Sequence, residues 1–237
     1  MNRLVIVSLF FASITVLVSC KKDNDSGSNV NQATAIKGSF WAGEFKYTSG
    51  DYTGLQAFSI EFKDDGTTTW SDAGSTRTSG TWKVEGSKIT LTFPNGTSLS
   101  ATLSKDEWIN IDNPVVNGFK INNLSRSFRP EQKNFLNTLW KGRYEDDATL
   151  ISVKFLDGAY IDKLEYIHNY NGRSTYILPY TIEGAGIRFT ITEGNGHRYY
   201  HYLSFKNESS IKGMYYSAYQ LFGGTWPLFR PLTLTKQ

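Results

Sequence analysis

The chain repeats itself. Phe40-Trp41-Ala42-Gly43-Glu44-Phe45 returns as Leu139-Trp140-Lys141-Gly142-Arg143-Tyr144. Phe62-Lys63-Asp64-Asp65-Gly66 returns as Phe155-Leu156-Asp157-Gly158, and Trp82-Lys83-Val84-Glu85-Gly86 with Ile89 returns as Tyr180-Thr181-Ile182-Glu183-Gly184 with Ile187. Phe128-Arg129-Pro130 also has a counterpart, Phe229-Arg230-Pro231. The first match to the last spans 87 positions in one copy (41 to 128) and 89 in the other (140 to 229). Matches in one order at nearly one spacing mark two copies of a unit in tandem. The fold is therefore one that about ninety residues can complete, twice over.

Short runs of β-branched and aromatic residues recur within each copy, separated by Gly, Asn, Asp and Ser, and helical periodicity is scarce. This is the pattern of an all-β sandwich or barrel, with about eight short strands per unit. In the first copy the strands are predicted near 39–47, 55–63, 66–71, 77–84, 87–93, 97–103, 107–111 and 117–125. Asp65-Gly66 and Asn95-Gly96 have the chemistry of two-residue hairpin turns, whose central positions both need positive φ. Successive hairpins give an up-and-down meander, and closing it removes the exposed edges. The expected architecture is two tandem antiparallel barrels: unit 1 at 38–130, a linker at 131–137 and unit 2 at 138–237.

These features resemble the lipocalin-like, or calycin, barrels. Such barrels carry a Trp and a Gly on the first strand, and an Arg near the last strand that stacks on the Trp and closes one end. The resemblance implies the pairs Trp41 with Arg129 and Trp140 with Arg230, a guanidinium over an indole being worth about 0.5–2 kcal/mol. The order differs from the lipocalin Gly-x-Trp, because here Trp precedes Gly.

The only cysteine, Cys20, follows an uncharged apolar run, Leu4 to Ser19, that opens with Arg3. A charged start and an apolar stretch shorter than the roughly 20 residues of a membrane span read as a secretory signal, 1–19. Leu17-Val18-Ser19-Cys20 resembles the bacterial lipobox, which implies cleavage before Cys20 and acylation of its thiol and amine. A lone Cys forms no internal disulfide. Residues 20–37 begin Cys-Lys-Lys-Asp-Asn-Asp-Ser-Gly-Ser and read as a solvated tether. The charged patch after Cys20 resembles a surface-export signal, so the expected address is the outer membrane, on the cell surface or on its periplasmic face.

Nothing resembles a nucleophile elbow, a His-Glu-x-x-His string, a P-loop or a Cys pair. No catalytic residue or cofactor is assigned, and a hydrolase is the least favoured reading. The net charge of +3 is too small to argue for nucleic acid. His197 and His201 lie on a predicted strand, about 13 Å apart at 3.3 Å per residue, so they do not share a metal ion. Strand parity instead turns Tyr199 and His201 inward, where the first unit has Leu99, Ala101 and Leu103. Twelve of the 14 tyrosines fall in unit 2. Tyr offers an apolar face and a hydroxyl, which suits sugars, aromatic ligands and protein partners. The expected role is a binding module for a small hydrophobic or glycan ligand, with Tyr199, His201, Tyr180 and Tyr215 as candidate contacts. Two alternatives stand beside it: core residues with satisfied hydrogen bonds, and an interaction protein or inhibitor whose outward Tyr200, Tyr202 and Tyr216 meet a partner.

Overall fold

The computed structural model describes residues 34–237 apart from 49–54, 75, 113–117, 146–148, 170–171, 195 and 222–223, and describes only the backbone at 77–78, 214–221 and 224–229. Cys20 lies outside the described residues.

Eight antiparallel strands close into the first barrel, each paired with the next and β8 with β1: β1 (Ser39–Tyr47), β2 (Leu55–Phe62), β3 (Thr67–Asp72), β4 (Thr76–Glu85), β5 (Lys88–Thr92), β6 (Ser98–Ser104), β7 (Glu107–Asp112) and β8 (Phe119–Ser127). The second sheet holds β9 (Leu139–Tyr144), β10 (Leu150–Phe155), β11 (Lys163–Asn169), β12 (Arg173–Pro179), β13 (Thr181–Glu183), β14 (Gly186–Thr192), β15 (Arg198–Asn207), β16 (Ser210–Leu221) and β17 (Gly224–Lys236), with β17 returning to β9. Its ninth strand comes from a split. β12 and β13 together correspond to β4, and the break falls at Tyr180, directly after Pro179, which has no N–H to give a ladder. The expected all-β, lipocalin-like pair of barrels is thus the observed fold.

The hairpin turns differ from expectation. Lys63 to Thr67, Phe93 to Thr97 and Glu193 to His197 are three-residue loops, in which the Gly N–H returns to the carbonyl three residues earlier. Among the described residues of these loops, only Gly66, Gly96 and Gly196 have positive φ. A type I turn closed by one left-handed residue needs Gly only at its end. Asp65 and Asn95 serve the turn through their side chains, which accept from Thr67 and Thr97 N–H.

Each barrel is closed at one end by the same device. Trp41 and Trp140 are buried, each 1% exposed. Trp41 Nε1 donates to Ser39 Oγ and Trp140 Nε1 to Thr138 Oγ1, both at 2.8 Å. Those hydroxyls donate in turn to the carbonyls of Ile36 and Phe135. Ile36 sits on a helical turn at 34–36, and Phe135 ends α1 (Gln132–Phe135), so the stretch between the barrels is the plug of the second one. The Gly two residues after each Trp is forced by proximity. A Cβ on Gly43 would lie 2.0 Å from the Asn123 carbonyl oxygen, and one on Gly142 1.8 Å from that of Thr233.

The two barrels share a buried polar interface. Tyr202 is fully buried, packed with Ala57 and Ala73 of unit 1. Its hydroxyl meets Ser59 Oγ at 2.6 Å and donates to the Glu183 carbonyl at 2.9 Å. Ser59 Oγ also accepts from Ala185 N–H at 3.1 Å. Arg188 donates to the Asp72 carbonyl through Nε and Nη2 at 3.0 and 2.6 Å, and pairs with Glu183 at 2.5 Å. Glu183-Gly184 is the turn that repeats Glu85-Gly86. In unit 1 that glutamate is solvated beside Lys83; in unit 2 the same turn docks on unit 1. Outward Tyr202 and its partly buried neighbour Tyr200 thus meet the sister barrel.

Candidate functional site

Strand register makes the two barrels comparable position by position. Trp41 faces Ile60 across β1–β2, and Trp140 faces Val153 across β9–β10. Ile60 faces Trp70 and Val153 faces Tyr166, so Trp70 and Tyr166 are equivalent. The shared spacing from Trp makes Phe45 equivalent to Tyr144. With Ile89 matched to Ile187, the cross-strand pairs Leu91–Leu99 and Phe189–His201 are also equivalent. Ile121 lies opposite Phe45 and Leu232 opposite Tyr144. Two residues before them stand Phe119 and Arg230.

At the unplugged end of the first barrel these positions are filled by apolar rings. Phe45, Trp70 and Phe119 have centroids 5.2–5.3 Å apart, Phe58 stacks on Trp70 at 4.0 Å, and Leu99 is buried beside them. In the second barrel the same places hold Tyr144, Tyr166, His201 and Arg230. The hydroxyls of Tyr144 and Tyr166 meet at 2.6 Å. The Arg230 guanidinium lies over the Tyr144 ring at 4.2 Å. The His201 ring stacks on Phe189 (4.4 Å, 10° between planes) and stands edge-on to Tyr166 at 5.1 Å. Its Nδ1 lies 3.1 Å from the Tyr199 carbonyl. Farther out, His168 and Tyr176 run parallel at 5.9 Å, both partly exposed.

His201 points inward, as strand parity requires, but it is 1% exposed. It forms the floor of this group; Arg230, His168, Tyr176 and Tyr199 are its partly exposed rim. Leu203 is the counterpart of Ala101, two positions from the Leu103 of the sequence alignment, and the parity is unchanged. Tyr180 is not part of the group. β12 and β13 carry it to the plugged end, where Gln132 donates to its hydroxyl at 3.0 Å and that hydroxyl donates to the Ile161 carbonyl at 3.1 Å. The backbone of Tyr215 lies opposite both His201 and Arg230, while its side chain lies outside the described atoms.

The two Trp–Arg closures are corrected. β8 ends at Ser127, and Arg129 beyond it is exposed. Trp41 packs instead on Phe62 and Trp108. Trp140 stands at the plugged end opposite Lys236, whose ammonium is 6.0 Å from its ring, while β17 carries Arg230 to the far end. The Phe-Arg-Pro match is therefore a coincidence: Arg230 corresponds to Phe119. Counting outward from the two tryptophans, rather than matching that tripeptide, reveals the constellation. Among the described residues no cluster of His, Asp and Glu could hold a metal ion.

Burial dominates the electrostatics. It pushes the His201 imidazole down to about 3, with nearby His168 adding to the effect and the Tyr199 carbonyl opposing it. His168 is also lowered by burial, against the pull of Glu193. Both rings are therefore neutral at pH 7. An unfolded His titrates near 6.5, so between that value and the folded one the unfolded chain holds a proton that the folded chain lacks. Stability is complete above about pH 6.5 and falls as pH drops, by up to about 1.4 kcal/mol per pH unit for His201 alone. Urea unfolding from pH 7 to pH 4 is expected to show this slope, and His201→Leu to flatten it. Equal slopes in the two proteins would place His201 outside the buried group.

No family model matches the chain, and no curated protein matches it. Among solved structures, a protein of unknown function from the DUF3598 family of Nostoc punctiforme aligns with 89% of this chain and 99% of its own, at 15% identity and a TM-score of 0.32. Kievitone hydratase from Nectria haematococca aligns with 84% of this chain and 89% of its own, at 6% identity and a TM-score of 0.24.

Proposed function

We propose that this chain is a lipoprotein, held at the outer membrane by acyl groups on Cys20, whose second barrel binds a small hydrophobic or glycan ligand at its unplugged end. One observation carries the binding reading. Positions that the first barrel fills with Phe45, Trp70, Leu99 and Phe119 are occupied in the second by Tyr144, Tyr166, His201 and Arg230. A fold that closes with apolar rings has no structural need of an arginine and a buried histidine there, whereas burying polar groups carries a cost. Aromatic walls with a few convergent polar groups are the usual chemistry of a ligand site.

Neutral His201 and His168 offer ring nitrogens without charge, the tyrosines offer stacking faces and hydroxyls, and Arg230 offers a cation at the rim. Of the tyrosines behind the interaction-protein reading, Tyr202 and Tyr200 are used against the first barrel, and the Tyr216 side chain lies outside the described atoms. The anchor is tested by labelled palmitate: label on wild type and none on Cys20→Ser is expected, and an unlabelled wild-type protein would exclude it. The site is tested by calorimetric screening of the whole protein against soluble glycans, fatty acids and haem-like molecules. Arg230→Ala is expected to weaken any hit by about 1.5–3 kcal/mol, the worth of a hydrogen bond to a charged group. A hit indifferent to Arg230→Ala would place the ligand elsewhere.

A further inference from the structure

On the side of the second barrel away from the first, the outer face of β9–β12 is basic and studded with exposed apolar side chains. Unit 1 is met by β15, β16 and β17 and by Glu183 of β13 and Arg188 of β14, which leaves β10 to β12 open. Leu150 and Ile177 are each 57% exposed, and Ile167 stands between their strands. Lys141, Arg143, Lys154, Lys163 and Arg173 share this face with Glu165, which lies opposite Lys154, and with Glu145 at its edge, which pairs with Lys212. An open groove of ≈ 400 Å³ runs between Lys141 and Arg143 on one wall and Ile167 and Asn169 on the other, with Ser152 within it. Among the described residues, Lys141 and Arg143 make no ion pair.

From this juxtaposition we infer that the outer face of β9–β12 docks on an anionic phospholipid surface. Cations clustered around exposed aliphatic side chains suit an interface where phosphates meet acyl chains, each Lys or Arg near an anionic surface contributing about fivefold in affinity. A basic patch is a recognised membrane-binding signal that works beside acyl groups. The charge complementarity favours a lipid surface, because the cations are spread around the aliphatic side chains rather than gathered in one pocket. The inference complements the anchor proposed above and is tested without it.

The experiment uses the chain from residue 20 onward with Cys20→Ser, so that no acyl group is present, in sedimentation with vesicles. Binding is expected to vesicles of about 30 mol % phosphatidylglycerol in phosphatidylcholine, to be at least about tenfold weaker on pure phosphatidylcholine, and to fall steeply at ~0.5 M salt. Lys141→Ala with Arg143→Ala is expected to weaken it about 30-fold, and Leu150→Asp to weaken it with thermal stability kept. Lys83→Ala, on the first barrel, is the control expected to leave it unchanged. No binding to anionic vesicles, equal binding to neutral ones, or full binding by the Lys141/Arg143 variant would overturn the inference. So would an acidic protein partner that binds this face while vesicles do not. Failure here leaves the palmitate result standing, and failure of that labelling leaves this one.

Discussion

Trp140→Ala is expected to destabilise the protein by about 3–5 kcal/mol, and Trp41→Ala by a similar amount, the range for emptying a large aromatic site in a core. Each indole is 1% exposed, and each holds the hydroxyl two residues before it, which is bonded to the preceding plug. Truncation leaves a cavity and frees Ser39 or Thr138, so the plugs carrying Ile36 and Phe135 lose their fastening. Urea unfolding measures the effect. Losses below about 1 kcal/mol would mean that the tryptophans do not close the barrels.

The second large effect is expected at the seam between the barrels. Tyr202→Ala removes a fully buried ring together with the hydroxyl that joins Ser59 to the Glu183 carbonyl. The expected loss is again about 3–5 kcal/mol, with a different signature. Wild type should melt in one cooperative calorimetric transition, because unfolding either barrel strips the interface of the other. The variant should melt in two, since each barrel keeps its own core. Tyr202→Phe keeps the ring and should cost about 1–3 kcal/mol, the penalty for buried partners left unmet. A single transition in Tyr202→Ala would show that the barrels are coupled elsewhere.

The strands were legible because alternation and turn residues are local. Predicted and observed boundaries of β1 to β8 agree within a residue or two. The inward direction of His201 was legible for the same reason, since parity survives a two-residue error in alignment. Depth was not legible: a strand pattern says which face His201 takes, and only packing shows Phe189 and Tyr166 against its ring. The interface was hidden because Glu183-Gly184 looks like Glu85-Gly86 in sequence. Its one trace is Gly186 where the first copy has Lys88, since a Cβ on Gly186 would lie 2.8 Å from Tyr202 Cζ. Arg230 was misplaced by a chance tripeptide, which register over the whole sheet corrects.

The binding account rests on the polar residues of the second barrel being dispensable for folding. A variant carrying Tyr144→Phe, His201→Leu and Arg230→Phe restores at those positions the residues of the first barrel, and leaves Tyr166 within an aromatic core. Native mass spectrometry of wild type and variant, each purified from its own cells and paired with urea unfolding, tests this most directly. The expected result is a variant at least as stable as wild type that has lost a small molecule carried by the wild-type protein. A variant destabilised by several kcal/mol, or one that carries the same molecule as wild type, would contradict it and return these residues to the core.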